Sequence, residues 1–188
     1  PYPPALPPAL RRLLIGLGVI GAAALVLWLA GRTTGWDALP ADARAAAVRR
    51  FSAEASVIAG KPVTIRCDES GTHVGAVQHA DGVAVVGGNV AYLTPERCLS
   101  LYELAFDGEI KSSRTARALA VLAHESWHLR GESNEATTEC RALQNDARTV
   151  VLLGGSAEQG SALARRIVTE VYPTMSEEYR TAECRPGG

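Results

Sequence analysis

Residues 122–140 read LAHESWHLRGESNEATTEC and place two histidines, four glutamates and a cysteine within nineteen positions. His124, Glu125 and His128 form the pattern HExxH. The run before them, SSRTARALAVLA (112–123), is a strong helix former with Ser112 and Ser113 available as caps. On a helix, residues four apart lie one above the other, so both imidazoles can reach a single ion. Imidazole nitrogen binds zinc at about 2.0–2.1 Å, and Glu125, one position on, can take a proton from a water held there. The competing reading is a charged helix face with a chance histidine pair. The helical context and the acidic residues that follow favour the metal.

A catalytic zinc needs a third protein ligand and an open fourth position. Gly131 can end the helix in the left-handed conformation and reverse the chain. A second helix beginning near Ser133–Asn134 presents Glu135 and Glu139 one turn apart. HExxH followed by NEATTE resembles the zincin metallopeptidases, specifically the gluzincin (thermolysin-like) arrangement. The resemblance covers about residues 120–140. It implies Glu135 as the third zinc ligand and Glu139 as acceptor of a hydrogen bond from the other ring nitrogen of a ligand histidine. Only six residues separate His128 from Glu135, far fewer than in thermolysin-like enzymes. That gap and Gly131 are more similar to the metzincin pattern HExxHxxGxxH, whose third position falls on Asn134, a poor ligand. Glu135 is the better chemical choice, with Glu132 and Glu139 as competitors.

The resemblance implies a zinc-dependent peptidase. His124, His128 and Glu135 would hold Zn²⁺, Glu125 would be the catalytic base, and the substrate would be a peptide or protein. The alternative is a non-catalytic envelope protein, with a structural metal or none, that acts by binding a partner. Weaker features surround this centre. His73 and His79 fall on one strand face by period two. They are candidates for a cleft lining or for solvent-facing positions. The segment GVAVVGGNVAYL can supply an edge strand that pairs with a peptide, or be a plain hairpin. Trp127 reads as a core anchor on the back of the metal helix, and Arg114 and Arg117 as a solvated face. No tyrosine or histidine is assignable as stabiliser of a tetrahedral intermediate.

The elements that must position these residues follow from pattern. Net charge is -1, with 19 basic and 20 acidic residues, so nothing points to nucleic acid. After a Pro-rich start (1–12), residues 13–30 carry no charge and predict a transmembrane helix; a cleaved signal peptide is the competing reading. Arg11 and Arg12 outnumber Arg32 across that segment, which favours a cytoplasmic N-terminus and an extracytoplasmic C-terminal domain on a single-pass membrane anchor. A linker spans 31–40, and the domain 41–188 is expected to be α+β, mainly helical with a small antiparallel sheet. Helices are expected at 41–60, 94–106, 112–130, 133–152 and 156–171, with strands at 61–67 and within 71–93. Cys67, Cys98, Cys140 and Cys184 all follow the apolar run and allow three pairings in an oxidising compartment. Cys67–Cys98 and Cys140–Cys184 are favoured, joining strand to helix and tail to the last helices.

Overall fold

The computed structural model describes residues 7–32, 35–76, 81–110, 112–182 and 184. Helix α2 (Ala41–Ala59) is Ala-rich and ends at Gly60, whose φ of 69° is the left-handed stop. Three short strands follow: β1 (Thr64–Cys67), β2 (Gly82–Ala84) and β3 (Val90–Leu93). Then come α3 (Pro95–Tyr102), α4 (Ser112–Arg130), α5 (Glu135–Leu152) and α6 (Ala157–Arg166). Thr94 caps α3 ahead of Pro95, and Ser156 with Gln159 forms a capping box on α6. Both α3 and α6 continue into a wider π turn, at Glu103–Asp107 and Ile167–Val171.

The sheet is mixed rather than antiparallel. Its order is β1-β3-β2, with β1 parallel to β3 and β2 antiparallel to it. The segment 71–76 is a loop and short 3-10 turn instead of a strand, because Asp68 draws it inward. The Asp68 carboxylate accepts from the backbone N–H groups of His73 and Val74, each at 2.8 Å. His73 is therefore a loop residue stacked on Tyr92, and the shared strand face with His79 is not formed; His79 itself lies outside the described residues. The outer edge of β1 is covered by α2, whose Ser52 and Ser56 hydroxyls accept from Ile65 N–H and Val63 N–H. That leaves β2 as the edge strand beside α4.

Phe51, Ile65, Leu93, Leu101, Leu119, Leu122, Leu153 and Ile167 fill one core where α2, the sheet and α3 to α6 meet. Two disulfides, Cys67–Cys98 and Cys140–Cys184, join β1 to α3 and α5 to the C-terminal tail. This is the pairing favoured from sequence.

The N-terminal expectation requires correction. A helix α1 does cover Pro8–Arg32, and its described side chains from Leu14 to Leu27 are exposed. Yet no helix among the described residues is long and apolar enough to cross a membrane. Glycine and alanine fill seven of the eighteen uncharged positions 13–30, which lowers the apolar surface that a lack of charge alone suggests.

Gly160 lets α6 meet the backbone of α5, for a Cβ there would lie 2.5 Å from the carbonyl oxygen of Ala147. Alanine normally stabilises a helix by up to ~1 kcal/mol over glycine. Here Gly160→Ala should do the opposite and cost about 2 kcal/mol by forcing the helices apart. Thermal denaturation checks this, and an unchanged or raised Tm would show that α5 and α6 are not in backbone contact.

Candidate metal centre

The turn between α4 and α5 assembles the centre. Gly131, at φ 114°, ends α4, with its N–H on the His128 carbonyl and the Glu132 N–H on the Trp127 carbonyl. These are the paired bonds of a Schellman turn. The reversal is tight enough to place the Glu132 carbonyl oxygen 2.8 Å from His128 Nδ1. Glu132 Oε1 then accepts from the N–H groups of Ser133 and Asn134, and Asn134 Oδ1 accepts from Thr137 N–H to cap α5. α5 runs back along α4 as an αα-hairpin, so Glu135 faces both histidines and Glu139 faces His124.

The resulting geometry is convergent. His124 Nε2 and His128 Nε2 lie 2.9 Å apart, and Glu135 Oε2 is 3.0 Å from the first and 3.3 Å from the second. The two other ring nitrogens face outward. His128 Nδ1 meets a backbone carbonyl, which can only accept, so that nitrogen carries the proton. His124 Nδ1 donates in the same way to Glu139 Oε2 at 2.9 Å. With those outer nitrogens engaged, the two Nε2 atoms face each other and a carboxylate oxygen. Three electron pairs cannot share such a space without a proton or a cation between them. His124, His128 and Glu135 could hold a metal ion, their ligand atoms all lying within 4.8 Å of one another. Tetrahedral bonds of about 2.0–2.1 Å separate ligand atoms by roughly 3.3–3.4 Å, close to the spacing found.

The surrounding carboxylates favour positive charge at this point. Burial lowers the His124 pKa, but hydrogen bonds to the Glu135 and Glu139 carboxylates outweigh it and raise the value to about 9. The hydrogen bond with His124 holds Glu135 below its ordinary value. Burial pushes the neighbouring Glu125 up to about 7, with His124 opposing. Two turns beyond Glu139, Asp146 is fully buried with no hydrogen-bond partner on either oxygen among the described residues. Burial first, and the charge of Glu139 second, raise its pKa well above the ordinary carboxylate range.

The other candidates divide. Asn134, the metzincin position, is occupied as a helix cap, and Glu132 pairs with Arg141 at 3.0 Å. Arg114 is exposed, as expected of a solvated face. Arg117 instead pairs with Asp81, which also binds Arg97 at 3.2 Å, and together they fix the start of β2. Trp127 is half-buried, packed on Ile58, Ala123 and Ala142.

Two residues were not legible from sequence. Gly82 on β2 presses on Glu125: a Cβ there would come 2.9 Å from Glu125 Oε1 and 2.8 Å from Val121. Its only signal was an apparent ADG turn. Tyr179 lies in a turn at Glu177–Tyr179, its ring centroid 5.7 Å from that of His124. Burial and then the charge of Glu135 raise its pKa, so the phenol stays protonated. Its position follows from the Cys140–Cys184 link, which brings the tail against α5.

No protein-family model, curated protein or solved structure matches the chain. The two disulfides and the His124/His128/Glu135 group define its class at the level of a disulfide-stapled α+β domain with a candidate metal site.

Since Glu139 orients His124 through Nδ1, Glu139→Gln should weaken metal affinity by roughly 10–100-fold while leaving the ligand set intact. A competition titration with a chromophoric chelator measures this, and unchanged affinity would remove Glu139 from the centre.

Proposed function

We propose that this domain is a zinc-dependent peptidase of minimal zincin type, working in an oxidising, extracytoplasmic compartment. The observation that carries the reading is the burial of Glu125 on the same helical turn as two convergent imidazoles. A carboxylate placed there suits proton transfer to and from a water beside the ligands. Two disulfides support the compartment.

His124, His128 and Glu135 would hold the metal, and two nitrogens with one oxygen suit zinc. When bound, zinc supplies Lewis-acid polarisation of the scissile carbonyl and lowers the pKa of a water to about 7. Glu125 takes the proton of the attacking water and delivers it to the leaving amine. Glu139 holds the His124 tautomer, and the Glu132 carbonyl holds that of His128. The protonated phenol of Tyr179 is suited to donate a hydrogen bond to the developing oxyanion.

Substrate alignment falls to β2, the edge strand against Glu125, where an extended peptide can add by main-chain pairing. Beyond β2, the turn Val85–Gly88 exposes Val85 and Val86, and Gly87 N–H bonds the His128 carbonyl at 2.8 Å. That bond ties the rim of the strand to the metal helix.

Glu125→Gln should retain one zinc per chain and lose peptide hydrolysis by at least about 10³-fold, within the range for removing a general base from such a site. His124→Ala should lose both zinc and hydrolysis. Metal analysis paired with a chelator-controlled peptidase assay reads the two. Full turnover by the glutamine variant, or stoichiometric zinc in the alanine variant, contradicts the mechanism. An ordered domain with tightly held zinc and no hydrolysis would favour a structural metal.

A further inference from the structure

Trp127 and three arginines build a second feature beside the metal helix. A cavity of about 400 Å³ opens between α2, the end of α4 and α5. Neither Glu125 nor any of the three candidate metal ligands lines it. Its walls include Val57, Ile58, Trp127, Arg130, Arg141 and Arg148.

Two of the three arginines are oriented in advance. The guanidinium carbons of Arg130 and Arg141 each lie 4.9 Å from the Trp127 ring centroid. Stacking uses the face of a guanidinium and leaves its in-plane N–H groups available. Arg130 Nη1 also donates to the Ile58 carbonyl at 3.1 Å, and Arg141 Nη1 pairs with Glu132 at 3.0 Å. Arg130 and Arg148 have no ion pair among the described residues. The sole carboxyl in the lining is Glu54, which is itself 5% exposed. Burial pushes that carboxyl up to about 7 against the attraction of Arg148, so at neutral pH it is only a partial counter-ion for the cluster. The chain as a whole carries a net charge of -1, so this positive surface is local.

We propose that the cavity binds a small organic oxyanion, its phosphate or carboxylate group gripped by Arg130, Arg141 and Arg148 and its apolar part laid on Val57, Ile58 and Trp127. Guanidinium forks match oxyanions bidentately, which a set of isolated lysines would not do. The volume lies within the roughly 300–1,000 Å³ of small-molecule sites. The proposal is independent of the peptidase reading.

Isothermal titration calorimetry of the full chain with phenyl phosphate, benzoate, inorganic phosphate and neutral benzyl alcohol tests it. Phenyl phosphate or benzoate should bind saturably at one site, and benzyl alcohol should not. The stronger of the two identifies the anionic group, and equal binding of inorganic phosphate assigns the site to the free anion. Arg141→Gln with Arg148→Gln should weaken binding about tenfold or more, while Glu54→Gln, which removes the competing anion, should tighten it. Arg148→Gln alone breaks no ion pair, and serves if the double variant does not fold. No saturable heat up to about 10 mM of any oxyanion, or an affinity unchanged in the arginine variants, would overturn the proposal.

Discussion

Two imidazole nitrogens and a carboxylate oxygen meet at one point in this domain, and much of the local structure exists to make them meet. His124 and His128 approach nitrogen to nitrogen, with the Glu135 carboxylate closing the triangle. Left to themselves such groups repel, and desolvation makes each more costly to leave unpaired. The fold overcomes this by committing the far side of each ring. A backbone carbonyl accepts a hydrogen bond from one imidazole and a buried carboxylate accepts one from the other. What remains is a pocket of electron density suited to a cation.

The supports extend outward from there. The Schellman turn at Gly131 explains how so short a gap between helices brings Glu135 onto the histidines. It folds α5 directly back on α4 and delivers the Glu132 carbonyl at the same time. On the other side of α4, Asp81 binds Arg97 and Arg117 and sets β2 against Glu125, where only a glycine fits. The Cys140–Cys184 disulfide holds the tail, and with it Tyr179, beside His124. Each support comes from a different element, so the centre depends on the complete domain.

The parts legible in sequence were those governed by local rules. Helix starts at Thr94, Asn134 and Ser156 carry cap chemistry that needs no tertiary context. The HExxH spacing states its own geometry once a helix is granted. Strand partnership is non-local, and an antiparallel reading missed the parallel pairing of β1 with β3 because the hairpin residues say nothing about β1. His73 looked like a strand residue until Asp68 was seen to gather its backbone. The apolar run at 13–30 suggests a span by its length and its lack of charge, yet no helix among the described residues is long and apolar enough to cross a membrane. Gly82 and Tyr179 owe their importance to neighbours far away in the chain, which no local pattern announces.

Whether His124, His128 and Glu135 form a metal centre is read directly by X-ray absorption spectroscopy of the metal-loaded protein. The expected result is one tightly bound zinc per chain, with two imidazole nitrogens and oxygen ligands at about 2.0–2.1 Å. A chain that folds with both disulfides formed and takes up no stoichiometric metal, or that binds zinc through sulfur, would contradict it.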